Sequence, residues 1–553
     1  MRPFLAAASL LPACLVAQGA VQPFTVTPFN QQGAGPSHRP AITPDGRWIA
    51  FCSSGTNLVA GDTNGRADVF VRDRATGAIE RVSLDDAGNQ ADGDSWATGI
   101  SDDGRYVAFL SFAANLVPGD TNGVMDGFVR DRWSGTTRRI SVGPSGQQAT
   151  AFVDSAGISG DGSTAVFGTA SALVPGDTNG AHDIHVLTLS TGAVERVSVG
   201  PGGAEGNGNS FSPCISADGR FVAFHSLATN LVANDTNAAR DIFVHDRQSA
   251  TTERVSVGPG GAQSNADSRY AACSADGRHV AFISFASNLV PGDTNGTLDV
   301  FVHDRLASAT ERVSVSSSGA QGFSTIVSIL TFPSISADGR FVAFYSPLDG
   351  LAGPVNATDD AFVRDRLTAR TIKVSRSSTG AEADAGSGPL AQFGASWVLE
   401  TMAIASEPPI AVFSSRATNL VPWDGNGVPD VFGVDLGLRC TAAGPATLGG
   451  AAIVDVVADA YPNQLFVGTF GPSVAAGAFL PSQQWLPLDG DPLLLATLTA
   501  FTTDANGDGV FGISIPPLPP LAGVELYATA LRLDAAGPTL FPAIGNVAAF
   551  VIQ

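Results

Sequence analysis

Asn57-Leu58-Val59-Ala60-Gly61-Asp62-Thr63-Asn64-Gly65-Arg66-Ala67-Asp68-Val69-Phe70-Val71-Arg72-Asp73 decides how this chain is read. Near copies occupy 115–131, 230–246 and 288–304, and looser ones surround Asp177 and Asp424. The leading aspartate recurs at Asp62, Asp120, Asp177, Asp235 and Asp293, a period of about 58 residues. A degenerate sixth copy spans 356–360, and the copy at Asp424 is the seventh.

Working outward, each unit carries four strand-like pieces. In the fourth unit they are Pro213-Cys214-Ile215-Ser216 before the Asp218-Gly219 turn, Phe221-Val222-Ala223-Phe224, Asp241-Ile242-Phe243-Val244-His245-Asp246, and Glu253-Arg254-Val255-Ser256-Val257. Alternation of period two, rich in β-branched and aromatic residues and bounded by Gly, Asp and Asn turns, is a strand pattern. Seven four-stranded units predict an all-β, seven-bladed β-propeller over residues 21–436. The seventh unit has strands at 410–413 and 430–434 but no Glu-Arg-Val-Ser-Val piece. The segment Phe24-Thr25-Val26-Thr27-Pro28-Phe29 stands where a fourth strand belongs, so the N-terminal strand is expected to close the ring and cover its edges.

The stretch Ile100-Ser101-Asp102-Asp103-Gly104-Arg105-Tyr106-Val107-Ala108-Phe109 resembles the signature of TolB-type, WD-like propeller repeats. It recurs at 216–224, 274–282 and 336–344. The resemblance implies the fold over roughly residues 21–436 and leaves function open, because such propellers serve many roles. The units here exceed the usual length by the Asn-Leu-Val-x-Gly-Asp-Thr-Asn-Gly loop between second and third strands.

Beyond residue 436 the pattern stops. Residues 437–450 read as a Gly- and Ala-rich linker. Residues 451–553 read as a small β-sandwich-like domain, with strands at 493–498 and 512–515 around a turn at 504–509. That turn has the opening spacing of an EF-hand-like loop, but Ile515 stands where the closing Glu belongs, so a hairpin turn is the better reading. Residues 1–20 have the positive start, apolar centre and small residues of an export signal, which places the protein in the secreted, periplasmic or cell-surface class. Leu11-Pro12-Ala13-Cys14 also resembles a lipoprotein cleavage box. No run elsewhere reaches transmembrane length.

Lys plus Arg is 30 against 51 Asp plus Glu, a net charge of -21 that argues against nucleic acid as a partner. Charged residues make up only 15%, with 63 Gly and 34 Pro, which suits a turn-dense, helix-poor chain. The cysteines form no CxxC pair. Buried thiols are expected at Cys52 and Cys273, and a Cys214–Cys273 bridge is left open.

The repeated loop has two readings. Asp62, Asn64 and Asp68 present hard oxygens at i, i+2 and i+6 around the Gly65 turn, which suits calcium. The same set recurs as Asp120, Asn122 and Asp126; Asp177, Asn179 and Asp183; Asp235, Asn237 and Asp241; Asp293, Asn295 and Asp299; and Asp424, Asn426 and Asp430. The loop resembles part of the calcium loops of FG-GAP propellers, without their first carboxylate and one further acidic position. The alternative is an Asx-turn, in which Asp and Asn bond nearby amides and Gly takes positive φ. Ala238 replaces the glycine in copy four, Gly425 replaces the threonine in copy seven, and copy six retains only Asn356 and Asp360.

A residue that every blade repeats serves the blade, so catalysis is sought among unrepeated residues. His182 and His185 are one candidate pair for a metal, and Glu400 and Glu407 are another for acid–base work. The Asp-Arg dipeptides ending the third strands read as a turn Asp plus a solvated Arg. No GxSxG, HExxH or Walker loop occurs. The sequence therefore predicts an exported, non-catalytic, monomeric propeller that acts as a binding platform for a protein or polysaccharide, with calcium stiffening the blade loops. The alternative is a secreted hydrolase of polysaccharide or peptide working at the propeller mouth.

Overall fold

The computed structural model describes residues 21–436 except 28–30, 324–331, 349, 354–357, 378, 389, 394–395 and 400, together with isolated strands between 454 and 551. The chain divides into one unit of Val16–Arg439 and a second of Met1–Leu15 with Cys440–Gln553.

The first unit is a seven-bladed β-propeller. Six antiparallel four-stranded sheets each take four strands in chain order. In blade one these are Ser37–Ile42, Trp48–Ser53, Asp68–Asp73 and Ile79–Arg81. The first strands of successive blades lie beside one another and line the ring axis. Apolar residues of the second and third strands face the neighbouring blades. Val69 and Val71 of blade one, for example, pack with Val107, Phe109 and Phe128 of blade two. A phenylalanine pair recurs in this core, as Phe51–Phe70 at 5.8 Å and Phe109–Phe128 at 5.5 Å between ring centroids. Each such buried ring contributes roughly 1.5–3 kcal/mol.

The N-terminal segment completes blade seven as expected, but the strand itself is Gln22–Pro23, just ahead of the expected Phe24–Phe29. Gln22–Pro23 pairs antiparallel with Phe432 and Gly433 of strand Asp430–Asp435, and the Phe24 amide donates to the Val431 carbonyl at 2.7 Å. Phe24 is buried, and a Cβ on Gly433 would stand 2.0 Å from its ring, so glycine is what admits the ring.

At the end of the ring carrying the Asp-Gly turns, backbone bonds pass from blade to blade. Asp102 donates to Gly160, Asp161 to Ala217, Ala217 to Ala275, and Ala275 to Ala337, all at 2.8–2.9 Å. Gly104, with φ +72°, sits against the Trp48 ring of the preceding blade, where a Cβ would lie 2.3 Å from it. The Asp-Arg dipeptides differ from expectation. Asp131 takes two bonds from Arg105, at 2.9 and 2.7 Å. The following arginine, Arg132, has only 7% of its side chain exposed; it crosses to Glu80 of blade one at 2.6 Å and lies over Trp48. Arg247–Glu195 repeats this staple at 2.5 Å. The arginine is drawn out of water because it finds both an acceptor and an aromatic face next door.

Cys214 and Cys273 are free thiols. Burial and then contact with Cys273 raise the Cys214 thiol well above its ordinary range. In the second unit, Thr497–Thr503 and Gly509–Ser514 pair antiparallel, overlapping the expected strands only at 497–498 and 512–514, and flank residues 504–508, which lie outside the described set. Val454–Asp455 joins that sheet, and Gln464–Val467 with Gln484–Pro487 and Glu525–Ala528 with Ala548–Val551 form two further pairs. The expected linker at 437–450 also lies outside the described residues. No described helix is long and apolar enough to cross a membrane.

Removing the closing ring tests the role of the N-terminal segment. Phe24→Ala is expected to cost about 3–5 kcal/mol in denaturant unfolding, with proteolysis cutting first near residues 21–27. A loss below about 1 kcal/mol would show that closure does not rest on this contact.

Candidate functional site

Each repeated loop folds around an arginine from the outermost strand. Arg81, the last residue of Ile79–Arg81, reaches Asp62 Oδ1 at 3.1 Å and Asp68 Oδ2 at 3.2 Å, and all three side chains are nearly inaccessible. Gln90, from the connection to blade two, accepts from Arg81 at 3.1 Å and from the amides of Thr63 and Asn64 at 3.1 and 3.0 Å. The Asn64 amide group donates to Asp68 at 2.9 Å, and its oxygen accepts the Arg66 amide at 3.1 Å, which is the Asx-turn. Ser83 donates to the other Asp68 oxygen at 2.5 Å. Burial, then the neighbouring Asp68, push the Asp62 carboxyl up, opposed by Arg81.

The arrangement recurs. Arg139 lies 3.0 Å from Asp120 and 3.7 Å from Asp126. Arg254 lies 3.2 Å from Asp235 and 3.4 Å from Asp241. Arg312 lies 2.9 Å from Asp293 and 3.5 Å from Asp299. In blade three Asp177, Asp183 and Glu205 converge within 4.8 Å, a grouping with metal-like spacing. Arg196 Nη1 stands 3.5, 3.3 and 2.9 Å from them. Asn122, Asn179, Asn237 and Asn295 each turn their oxygen to the amide two residues on. In blades one to five, then, a guanidinium occupies the space between the carboxylates singled out for calcium. Blade six substitutes Lys373, bonded to Asp360 at 2.6 Å and to Glu382.

Blade seven keeps the loop, and among the described residues no arginine stands at the matching position of its outer strand. The register places Pro23 opposite Phe432, as Arg81 stands opposite Phe70. Asp424 accepts from Gln32 at 2.8 Å, and Asp430 accepts from Thr25 at 2.5 Å and Asn426 at 2.8 Å. Burial raises the Asp430 carboxyl to about 6, against the Thr25 and Asn426 hydrogen bonds.

A different set lies where the first strands begin, at the end of the ring facing these loops. At one register of neighbouring inner strands stand His38, Trp96, Asp154, Phe211 and Arg269, five unlike residues. A bulge follows, and there Arg39, Ser212 and Tyr270 take positive φ of 51°, 49° and 57°, a conformation costly for side-chain-bearing residues. From blade three to blade six the rings form a chain. Phe152 meets His182, His182 stacks on Phe211 at 4.6 Å, Phe211 meets His225, His225 meets Tyr270, and Tyr270 meets Phe332 at 4.1 Å. Asp154 Oδ1 lies 3.4 Å from His182 Nε2 and accepts from Ser155 at 2.7 Å. Burial raises the Asp154 carboxyl, with His182 opposing. Burial, then Arg240 and Arg269, hold His225 down to about 3. Phe112, Phe152 and Phe285 leave 50%, 54% and 40% of their surface exposed.

His182 joins this cluster, whereas His185 takes the core phenylalanine position and stacks on Phe167 at 5.4 Å, so the two rings serve different surroundings. Burial holds His185 at about 3. Glu407 is exposed at a turn, and Glu400 lies outside the described residues. Sequence reasoning missed the role of the outer-strand arginine and the mouth cluster. The recurrence of arginine in Glu-Arg-Val-Ser-Val, 19 residues after each leading aspartate as in Asp62 and Arg81, was the available signal.

No family model and no curated protein matches the sequence. Solved structures similar to it include TolB from Acinetobacter baumannii, at 14% identity and TM-score 0.34, covering 61% of this chain and 63% of that one. Another is an oligogalacturonate lyase from Vibrio parahaemolyticus, at 13% identity and TM-score 0.45, covering 75% and 93%. A third is the propeller domain of the Trilobed protease from Pyrococcus furiosus, at 10% identity and TM-score 0.39, covering 69% and 91%. The likeness concerns the propeller fold alone.

Arg254→Met leaves Asp235 and Asp241 buried without their cation and is expected to cost about 3–5 kcal/mol. Arg254→Lys, which keeps the charge, should recover part of that loss in the same unfolding measurement. Equal stability of Arg254→Met and the natural protein would remove the arginine from its structural role.

Proposed function

We propose that the protein is an exported, non-catalytic binding platform that presents the channel mouth over blades three to six to a protein or polysaccharide ligand. One observation carries this reading. Four of the five described inner strands of blades one to five open on serine and four close on isoleucine, but the mouth register between them differs in every blade, and beside it stand the exposed rings of Phe152 and Phe285 and the polar Asp154 and His182, a local mix suited to ligand contact. The repeated carboxylates are used within the blades, so they leave the mouth as the asymmetric surface.

Binding is measured by retention on affinity gels of a neutral glucan, an acidic polysaccharide and an immobilised peptide mixture. Phe152→Ala and Phe211→Ala are expected to cut retention about tenfold, a loss of roughly 1.4 kcal/mol. Trp133→Ala, an exposed ring at the Asp-Gly-turn end, should leave it unchanged. The assignment is lost if Trp133→Ala has the same effect or the mouth variants have none.

Calcium belongs, in this reading, to blade seven. Asp424 and Asp430 offer carboxylate oxygens with a proline where five sister blades bring an arginine, and calcium accepts such irregular oxygen sets. Calcium at about 100 times its dissociation constant should stabilise the natural protein by about 2.7 kcal/mol, and Asp424→Asn should abolish the effect. A melting temperature insensitive to both calcium and EDTA would end the metal reading.

The hydrolase alternative draws on Asp154 and His182. His182 Nδ1 lies 2.8 Å from the Ser210 carbonyl, which only accepts, so Nδ1 carries a proton and Nε2 faces Asp154. Nε2 and Asp154 Oδ1 thus face one another across 3.4 Å at the mouth, a placement from which general acid–base work is done. Release of reducing ends or new amino termini from a retained polymer, lost in Asp154→Asn, would favour that alternative.

A further inference from the structure

Two guanidiniums meet a single carboxylate at the mouth. Arg240 precedes the third strand of blade four, and Arg269 lies on the inner strand of blade five. Arg240 Nη1 and Arg269 Nη2 both donate to Asp267 Oδ2, at 2.8 and 2.7 Å. Asp267 Oδ1 accepts the Arg240 backbone amide at 2.9 Å. In the preceding blade Asn209 performs that backbone duty for His182 at 2.8 Å, so the fold needs an oxygen there and no charge.

Neither arginine belongs to the repeat. Arg240 corresponds to Ala67, Met125, His182 and Leu298 in other blades, and Arg269 to His38, Trp96, Asp154 and Phe211. About 30% of each side chain is open to solvent. Each guanidinium offers five N–H donors in a fork matched to carboxylates, and Asp267 takes up few of them. One surplus positive charge thus stands in a chain of net charge -21. Burial above all keeps His225 neutral, and both guanidiniums add to that effect while Asp267 opposes them. Across the mouth, Phe152 gives an exposed ring beside Asp154 and Ser155.

We propose that Arg240 and Arg269 form a recognition site for a carboxylate, and that the ligand is an acidic saccharide. The inference rests on the mouth being the binding surface. A saccharide suits it because an apolar ring face and a hydroxyl rim match Phe152 and the adjoining Asp154 and Ser155, while its carboxylate completes the guanidinium pair.

The test is calorimetric titration of the full chain with three probes: a uronic-acid trisaccharide, the same trisaccharide with its carboxyls reduced to alcohols, and an acidic tripeptide. The acidic saccharide is expected to bind, and the reduced one to bind at least about tenfold more weakly, since it loses its charge-assisted hydrogen bonds to the guanidiniums. Arg240→Gln and Arg269→Gln should each weaken the acidic saccharide by a similar factor. Asp267→Asn keeps the backbone oxygen and frees both guanidiniums, so it should tighten binding severalfold, a gain that damaged folding cannot imitate. The inference is overturned if the tripeptide binds more tightly, if Asp267→Asn weakens or leaves binding unchanged, or if no probe binds. A reduced saccharide that binds equally well and is lost in Phe152→Ala also overturns it, while leaving the mouth as the binding surface.

Discussion

A guanidinium held between two buried carboxylates organises each of blades one to five. Arg81 ends the outermost strand, Asp62 and Asp68 flank the loop between second and third strands, and Gln90 lies on the way to the next blade. One side chain thereby ties together three segments that the chain keeps apart. Burying ions costs desolvation that pairing repays only with good geometry and further hydrogen bonds, and Ser83, Asn64 and Gln90 provide them. The loop's conspicuous acidity is in this sense inward-looking. It balances a positive charge the blade itself supplies, and the surface gains little of it.

The same interaction explains why blade seven is unlike the others. Closing a ring with the N-terminal segment puts Pro23 at the arginine's place. The carboxylates remain because Asp430 still anchors Thr25 and Asp424 still takes Gln32. The loop thus keeps its structural bonds without the outer-strand arginine of its sister blades. At the mouth the logic is reversed. There the sheets are already satisfied by their backbone ladders, so side chains at the His38, Trp96, Asp154, Phe211 and Arg269 register are free to differ.

Much of the fold was legible because its signals are local and repeated. Alternating strands, Asp-Gly turns and the spacing of the leading aspartates each point to the same four-stranded unit, and the missing outer strand in unit seven pointed to Phe24 and its neighbours. The arginine pairing was harder to read, because Arg81 and Asp62 meet only after the strand turns back on itself. The mouth cluster was illegible for the opposite reason: its members share no residue type, and bulges shift the register just where they would align. The His182–His185 pair shows a readable error. Residues three apart on a strand point to opposite faces, and the structure sends one ring to the mouth and the other into the core.

Closure by Gln22–Pro23 carries a consequence for timing. Thr25 and Asp430 are separated by 405 positions along the chain, so the first propeller residues made wait for nearly the last. Six blades can each complete from consecutive segments as the polypeptide emerges. The seventh cannot, and contacts between such distant segments form slowly. Until then Phe432 and its strand present an open edge of the kind that pairs with other chains, so assembly of this ring is most exposed to error at its final step.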